Sequence, residues 1–209
     1  MGNSRLQPAV LPQFCDEGPK LQLVTELFCV WMRYHFGSTD TIIDTRLHEK
    51  IWRPEIQTAG IVIESSTVWD PRITQFRPSI VVKRQAWQNI RIGIDHRYMG
   101  EPSIDGHEHY TNFWQGAHSL MVVAGEAGET EILADEVFHE LNQMGRAVRS
   151  QTGMHKLEVV EVGDLSKLKE AKEAFVIPVN IAYVIETNWR LAVEAPFFKR
   201  LSMSISQGG

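Results

Sequence analysis

Between Phe175 and Ile185 the chain alternates without a break. Phe175, Ile177, Val179, Ile181, Tyr183 and Ile185 take every second position over eleven residues. A period of two belongs to a strand with one buried face and to no helix. Inside it stands Pro178, which cannot donate to a ladder, so one flank of that position is expected to be an edge or a bulge. A sheet that holds so long a strand must form the core, and the remaining chain has to supply its neighbours and its cover.

The cover comes from two helices. Val24, Leu27, Phe28, Trp31 and Tyr34 follow i, i+3, i+4 spacing behind Pro19 and ahead of Gly37, which predicts a helix over 19–36. A second helix is expected from Thr130, with Ile132, Leu133, Val137, Leu141, Met144 and Val148 as its buried stripe and Gly153 as its stop. Its acids come early and its bases late, as the helix dipole favours. Further strands are expected at Gly60–Glu64, Ser79–Arg84, Gln88–Ile94, Ala117–Ala124 and Leu157–Glu161, with Trp69-Asp70-Pro71 as a turn. The polar, glycine-bearing stretch 95–116 reads as a long loop. Strands on both sides of one main helix predict an α+β fold. It is a mainly antiparallel sheet with one long edge-exposed strand, packed by two principal helices. Residues 1–18 form an extended arm, 19–195 a single domain, and 196–209 a tail.

Of the 209 residues 43 % are apolar, enough for one sizeable core and far above the disordered range. The longest apolar run, Leu27–Met32, is too short to span a membrane, and the first residues lack an apolar signal core. Cys15 and Cys29 have no partners at zinc-ligand spacing. The net charge of −5 is uneven: residues 101–175 hold 14 acidic and 6 basic residues (−8), residues 31–100 hold 7 and 10 (+3). Opposite signs on one chain suit head-to-tail contact between like subunits or a charged lumen, although acids that merely solvate a helix give the same arithmetic.

Candidate chemistry is sparse. Asp95, His96, Asp105, His107, Glu108 and His109 lie together in the predicted loop, and His96, His107 and His109 give the one reading as a metal-dependent enzyme. The metalloprotease helix motif and a deaminase cysteine pair are missing, and a polar loop rich in histidine is the plainer explanation. No nucleophile elbow or phosphate loop is found, and Gly125-Glu126-Ala127-Gly128 would repel phosphate with its acids. Glu136 and Glu140 share a helix face and read as solvated surface. Phe28, Trp31 and Met32 read as helix core. No catalytic residue, metal or cofactor is expected.

Aromatic residues in segments outside the regular pattern are the remaining signal. Trp52, Trp69, Phe113, Trp114, Pro178, Trp189, Phe197 and Phe198 are expected to serve an oligomer or partner interface, the alternative being that they fold back over the sheet.

The strand Leu120–Val123, the helix Glu131–Ser150, the strand Lys156–Gly163 and the phrase Phe175-Val176-Ile177-Pro178-Val179-Asn180-Ile181-Ala182-Tyr183 together resemble the tail terminator (tail completion) and neck proteins of long-tailed bacteriophages. The resemblance covers about a third of the chain; the arm and the 95–116 stretch depart from it. It implies a structural, non-enzymatic virion protein, a hexameric ring on the last ring of the tail tube. Such a ring is assembled in the host cytoplasm and meets the tail tube protein on one side and the head–tail connector or stopper on the other. Genome DNA would pass through its lumen without specific binding. Another neck, connector or baseplate component shares the same character.

Overall fold

The computed structural model describes residues 21–70, 77–90, 107–168 and 174–192, with side chains at 107–110 and 189–192 left aside. Helix α1 spans Leu21–His35 and is followed by a 3-10 turn at Thr45–Leu47. Strands β1 (Val62–Ser65), β2 (Ser79–Arg84), β3 (Gln88–Ile90) and β4 (His107–Ala124) come next. Helix α2 (Ala127–Thr152) leads into β5 (Lys156–Val162), β6 (Ser166–Lys167) and β7 (Phe175–Ala192). The fold is α+β: a seven-stranded, mostly antiparallel sheet in the order β1-β2-β4-β7-β5, with β3 on β4 and β6 on β7. Strands β1 and β2 pair in parallel.

Register sorts the side chains into two layers. Ile80 lies opposite Val122 and Val82 opposite Leu120. These four join Ile177, Val179, Ile181, Tyr183 and Ile185 of β7 in one main core under both helices. From α1 that core receives Val24, Phe28, Trp31 and Met32, and from α2 Leu133, Val137 and Leu141. On the opposite face Val81, Val123, Leu168 and Ala174 make a small second cluster, partly covered by Trp69, Met121 and Val176. The alternation read from Phe175–Ile185 is this division of faces.

Several expectations change. Tyr34 is 75 % exposed, so the buried stripe of α1 leaves it out and runs from Trp31 and Met32 to His35. On α2 the stripe is rotated: Met144 is exposed, whereas Glu136, Glu140 and Gly145 are buried. The helix also begins three residues before Thr130, with Thr130 Oγ1 donating to the Glu126 carbonyl at 2.8 Å. It ends at Gly153, whose φ of 72° is left-handed, as its glycine predicts.

The predicted 95–116 loop is the largest correction. From His107 onward it is strand, part of the 18 residues of β4; residues 95–106 lie outside the described residues. Gly116 is no loop glycine. It marks a close approach inside a strand, because a Cβ there would sit 2.4 Å from the Tyr183 ring.

Nor is the long strand an edge over Phe175–Val184, where it lies between β4 and β5 or β6. The proline explains where the partner changes. Gly163 N–H donates to Pro178 O at 2.8 Å, but Pro178 has no N–H to return the second bond of that pair. Strand β5 therefore ends at Val162, and β6 resumes the ladder opposite Val176. A bulge at Val160 lies close by, between the pairs made by Val159 and Glu161.

The two ends of the sheet differ. In β1, Val62 N–H and the adjoining Ser66 N–H face β2, bonding Pro78 O and Val82 O. The odd-numbered carbonyls turn outward and are taken. Ile63 O accepts from Arg33 Nε and Nη2 at 3.1 and 2.9 Å, and Ser65 O accepts from the amides of Val68 and Trp69. Ile61 bridges to Trp52. Among the described residues β5 pairs with β7 alone.

Contacts divide the chain into two units. Pro19–Asn89 and Trp114–Ile185 make the larger. The described part of the smaller is Ile90 with the outer stretches of β4 and β7, where Thr111 Oγ1 donates to Asn188 Oδ1 at 2.6 Å and Asn188 Nδ2 to Glu186 at 2.9 Å. The predicted arm 1–18 and tail 196–209 lie outside the described residues.

Candidate functional site

The aromatic positions singled out from sequence are dispersed. Trp52 is half-buried against the main core, with the Arg33 guanidinium 5.4 Å over its ring. Trp69 leans on the second cluster and Trp114 on the main core. Phe113 and Trp114 sit within β4 rather than at the end of a loop, and Pro178 within β7. Trp189 is part of β7 by its backbone; Phe197 and Phe198 lie outside the described residues. Half-buried rings of this kind hold the sheet and leave a remainder exposed.

His107 and His109 belong to the backbone of β4, whereas Asp95, His96 and Asp105 lie outside the described residues. Among the described residues no three His, Cys, Asp or Glu side chains are arranged to hold a metal ion, and no helix is long and apolar enough to cross a membrane.

Two buried polar networks, neither foreseen, are the most organised chemistry present. The first joins α1 to α2. His35, 2 % exposed, directs Nε2 at Glu136 Oε1 (2.8 Å) and Nδ1 at Glu140 Oε2 (3.0 Å). Trp31 Nε1 donates to Glu140 Oε1 at 2.7 Å. Glu136 also accepts the amides of Ile43 and Asp44 at 2.8 and 3.0 Å. The expectation that these two glutamates are solvated is overturned, because α1 lies on the α2 face that carries them. Both ring nitrogens face carboxylates, so both contacts are hydrogen bonds only when the ring carries a proton on each. Burial pushes the His35 pKa down, but the hydrogen bonds and charges of Glu140 and then Glu136 outweigh it, and the net direction is up. Burial raises the Glu140 pKa, while bonds from His35 and Trp31 overcome this and lower it. The carboxylates meet opposite edges of one ring and share no point where a metal could sit.

The second network runs through the sheet. Trp87 Nε1 donates to the Tyr183 hydroxyl (2.8 Å); that hydroxyl lies 2.9 Å from His118 Nδ1, and His118 Nε2 lies 2.9 Å from Thr25 Oγ1. One assignment uses every proton. Tyr183 donates to Nδ1, His118 donates from Nε2 to Thr25, and Thr25 reaches the Leu21 carbonyl at 3.5 Å. Burial, with help from Arg84, holds the His118 pKa down at about 4, so the ring is neutral. Burial likewise raises the Tyr183 hydroxyl. In this tautomer the imidazole donates to Thr25, and the run of bonds braces the core by tying α1 to β4 and β7.

Thr25 borders an open groove of about 590 Å³ between α1 and the β1–β2 end of the sheet, where Cys29, Arg33, Glu64 and Arg84 also contribute. Burial raises the Cys29 thiol, which keeps it protonated and unreactive. No protein-family model matches the chain, and no curated protein matches it either.

Proposed function

We propose that this chain is a structural subunit of a virion. It is one protomer of a closed ring at the head-proximal end of a phage tail, ending growth of the tail tube and joining it to the head connector. The observation that carries the reading is the order over Leu120–Tyr183. A strand, helix α2 against the sheet, a shorter strand and the long strand lie in sequence, with β4, β7 and β5 adjacent in one layer. This is the segment and the order on which the resemblance to tail terminator proteins rests. The two buried networks add support, since each spends its titratable groups on joining elements. Ring closure asks for unlike patches on each protomer. Leu23, Val30 and Tyr34 on α1 and Val160 and Val162 on β5 are exposed apolar positions on different elements that can meet across such a contact. In this role the partners are the tail tube protein, a connector or stopper, and DNA crossing the lumen.

Light scattering of the purified chain, with electron microscopy of virions that carry it, tests the reading. A closed ring, expected to be hexameric, located at the neck supports it. A chain that stays monomeric and is absent from the neck sinks it.

A further inference from the structure

The His35 network does more than fill a gap between helices. Three elements meet there. Helix α1 gives Trp31 and His35, α2 gives Glu136 and Glu140, and the connecting segment gives the amides of Ile43 and Asp44. The other end of that segment is tied to the same helix by Lys50 Nζ and Glu129 Oε1 at 2.6 Å. Of the remaining polar groups nearby, the Asp44 carboxylate is turned to Arg46, and His48 lies 3.4 Å from the Ile42 carbonyl. Phe36 puts its ring edge-on to His35 at 4.9 Å. Glu140 and Glu136 are thus the charges that govern His35.

We propose that His35, Glu136 and Glu140 form a proton-operated latch that holds the backbone of Ile43 and Asp44 against α2, closed while the imidazole carries both protons and released when one leaves, with buried Ile42 and Leu47 and the Lys50–Glu129 pair keeping the rest of the segment seated. Physically, an imidazolium presents two N–H groups to two carboxylates, and every short contact is favourable. Removing one proton sets a ring lone pair against a carboxylate at about 3 Å and strips Glu136, 3 % exposed, of its counter-charge. A buried carboxylate without compensation is costly enough to draw in water or swing outward. Because Glu136 is also the acceptor for Ile43 and Asp44, its departure frees that backbone. The strands lie outside this set of bonds and keep their ladder.

Imidazole nitrogen shifts of His35 and amide exchange of the whole chain, measured from pH 5 to pH 10, test the latch. Both ring nitrogens are expected to be protonated at neutral pH. Protection at Ile43 and Asp44 is expected to fall, beyond the intrinsic effect of base, by up to about tenfold per pH unit between the ordinary histidine range and the pH at which His35 titrates in the folded chain, which is one proton's linkage, and to level off above it. Amides of Val81 and Val122 should stay protected. In His35→Gln the step disappears and those two amides exchange fast throughout; if that variant does not fold, Glu140→Gln should shift the step to lower pH, because it removes one of the charges holding the proton. A singly protonated ring at neutral pH, or protection at 43–44 that ignores the titration, overturns the proposal.

Discussion

Gly116 and Tyr183 set a tight steric condition in the core. A methyl group at position 116 would fall 2.4–2.6 Å from three atoms of a ring that is itself fully buried. Gly116→Ala should destabilise the fold by about 1–3 kcal/mol, as overpacking does, and a urea melt would measure it. The same mutation should disturb the Tyr183–His118 bond and so move the His118 resonances. The buried histidines also give pH dependence of opposite sign. His118 has a pKa of about 4 when folded and 6.5 unfolded, so the unfolded state binds more protons between those values. Its contribution is complete above pH 6.5 and lost on the way down to about 4, with a ceiling of about 3 kcal/mol at ~1.4 kcal/mol per unit. His35, raised on folding, contributes fully below pH 6.5 and loses that contribution as pH rises through its folded value. Glu140, lowered, loses its share as pH falls through its own. Denaturant midpoints across pH should therefore show a maximum with a decline on each side, and His35→Gln should abolish the alkaline decline. Little of this was legible in sequence. The four-residue spacing of Glu136 and Glu140 could be read, but their partner lies 101 residues from Glu136, and no local pattern encodes that distance.

At the level of elements, what could be read was what is local. The periods behind α1, β2, α2 and β7 depend on a few neighbouring residues and place these elements within a few positions of where they lie. What escaped depends on contacts between them. The face of α2 turns toward its glutamates because α1 supplies donors for them in His35 and Trp31, whereas hydrophobic periodicity alone counts Met144 as buried. Residues 107–116 read as a loop because glycine and polar residues lower strand propensity, and pairing with β7 overrides that preference. Pro178 and Gly163 form a coupled stop for β5. A Cβ on Gly163 would meet Pro178 Cγ at 2.6 Å. Gly163→Ala should cost about 1–3 kcal/mol by overpacking, and Pro178→Ala in the same chain should recover much of it by removing Cγ and Cδ. A double-mutant cycle showing simple additivity would refute this coupling. Gly153→Ala at the left-handed end of α2 should cost roughly 1 kcal/mol, visible as a lower Tm.

For the whole molecule, the division of charge into a −8 stretch and a +3 stretch has a consequence for assembly. If those stretches attract each other between neighbouring protomers, raising salt from about 0.05 M to 0.5 M, which shortens the screening length from well above 10 Å to a few ångströms, should weaken association. Sedimentation at the two salts would measure it; association unchanged or stronger would mean that apolar contacts dominate. The ends of the sheet constrain the geometry further. At β1 the Arg33 guanidinium, the Trp52 bridge and the 65–69 turn occupy the outward side, while among the described residues β5 has a neighbour on one side only. The β5 edge obeys a counting rule. Two identical copies joined β5 against β5 use up that edge on both, so such pairing is two-fold and stops at two chains. A larger ring that uses this contact must be closed elsewhere on each copy, by side-chain surfaces, by an exchanged segment or by the edge of a different strand.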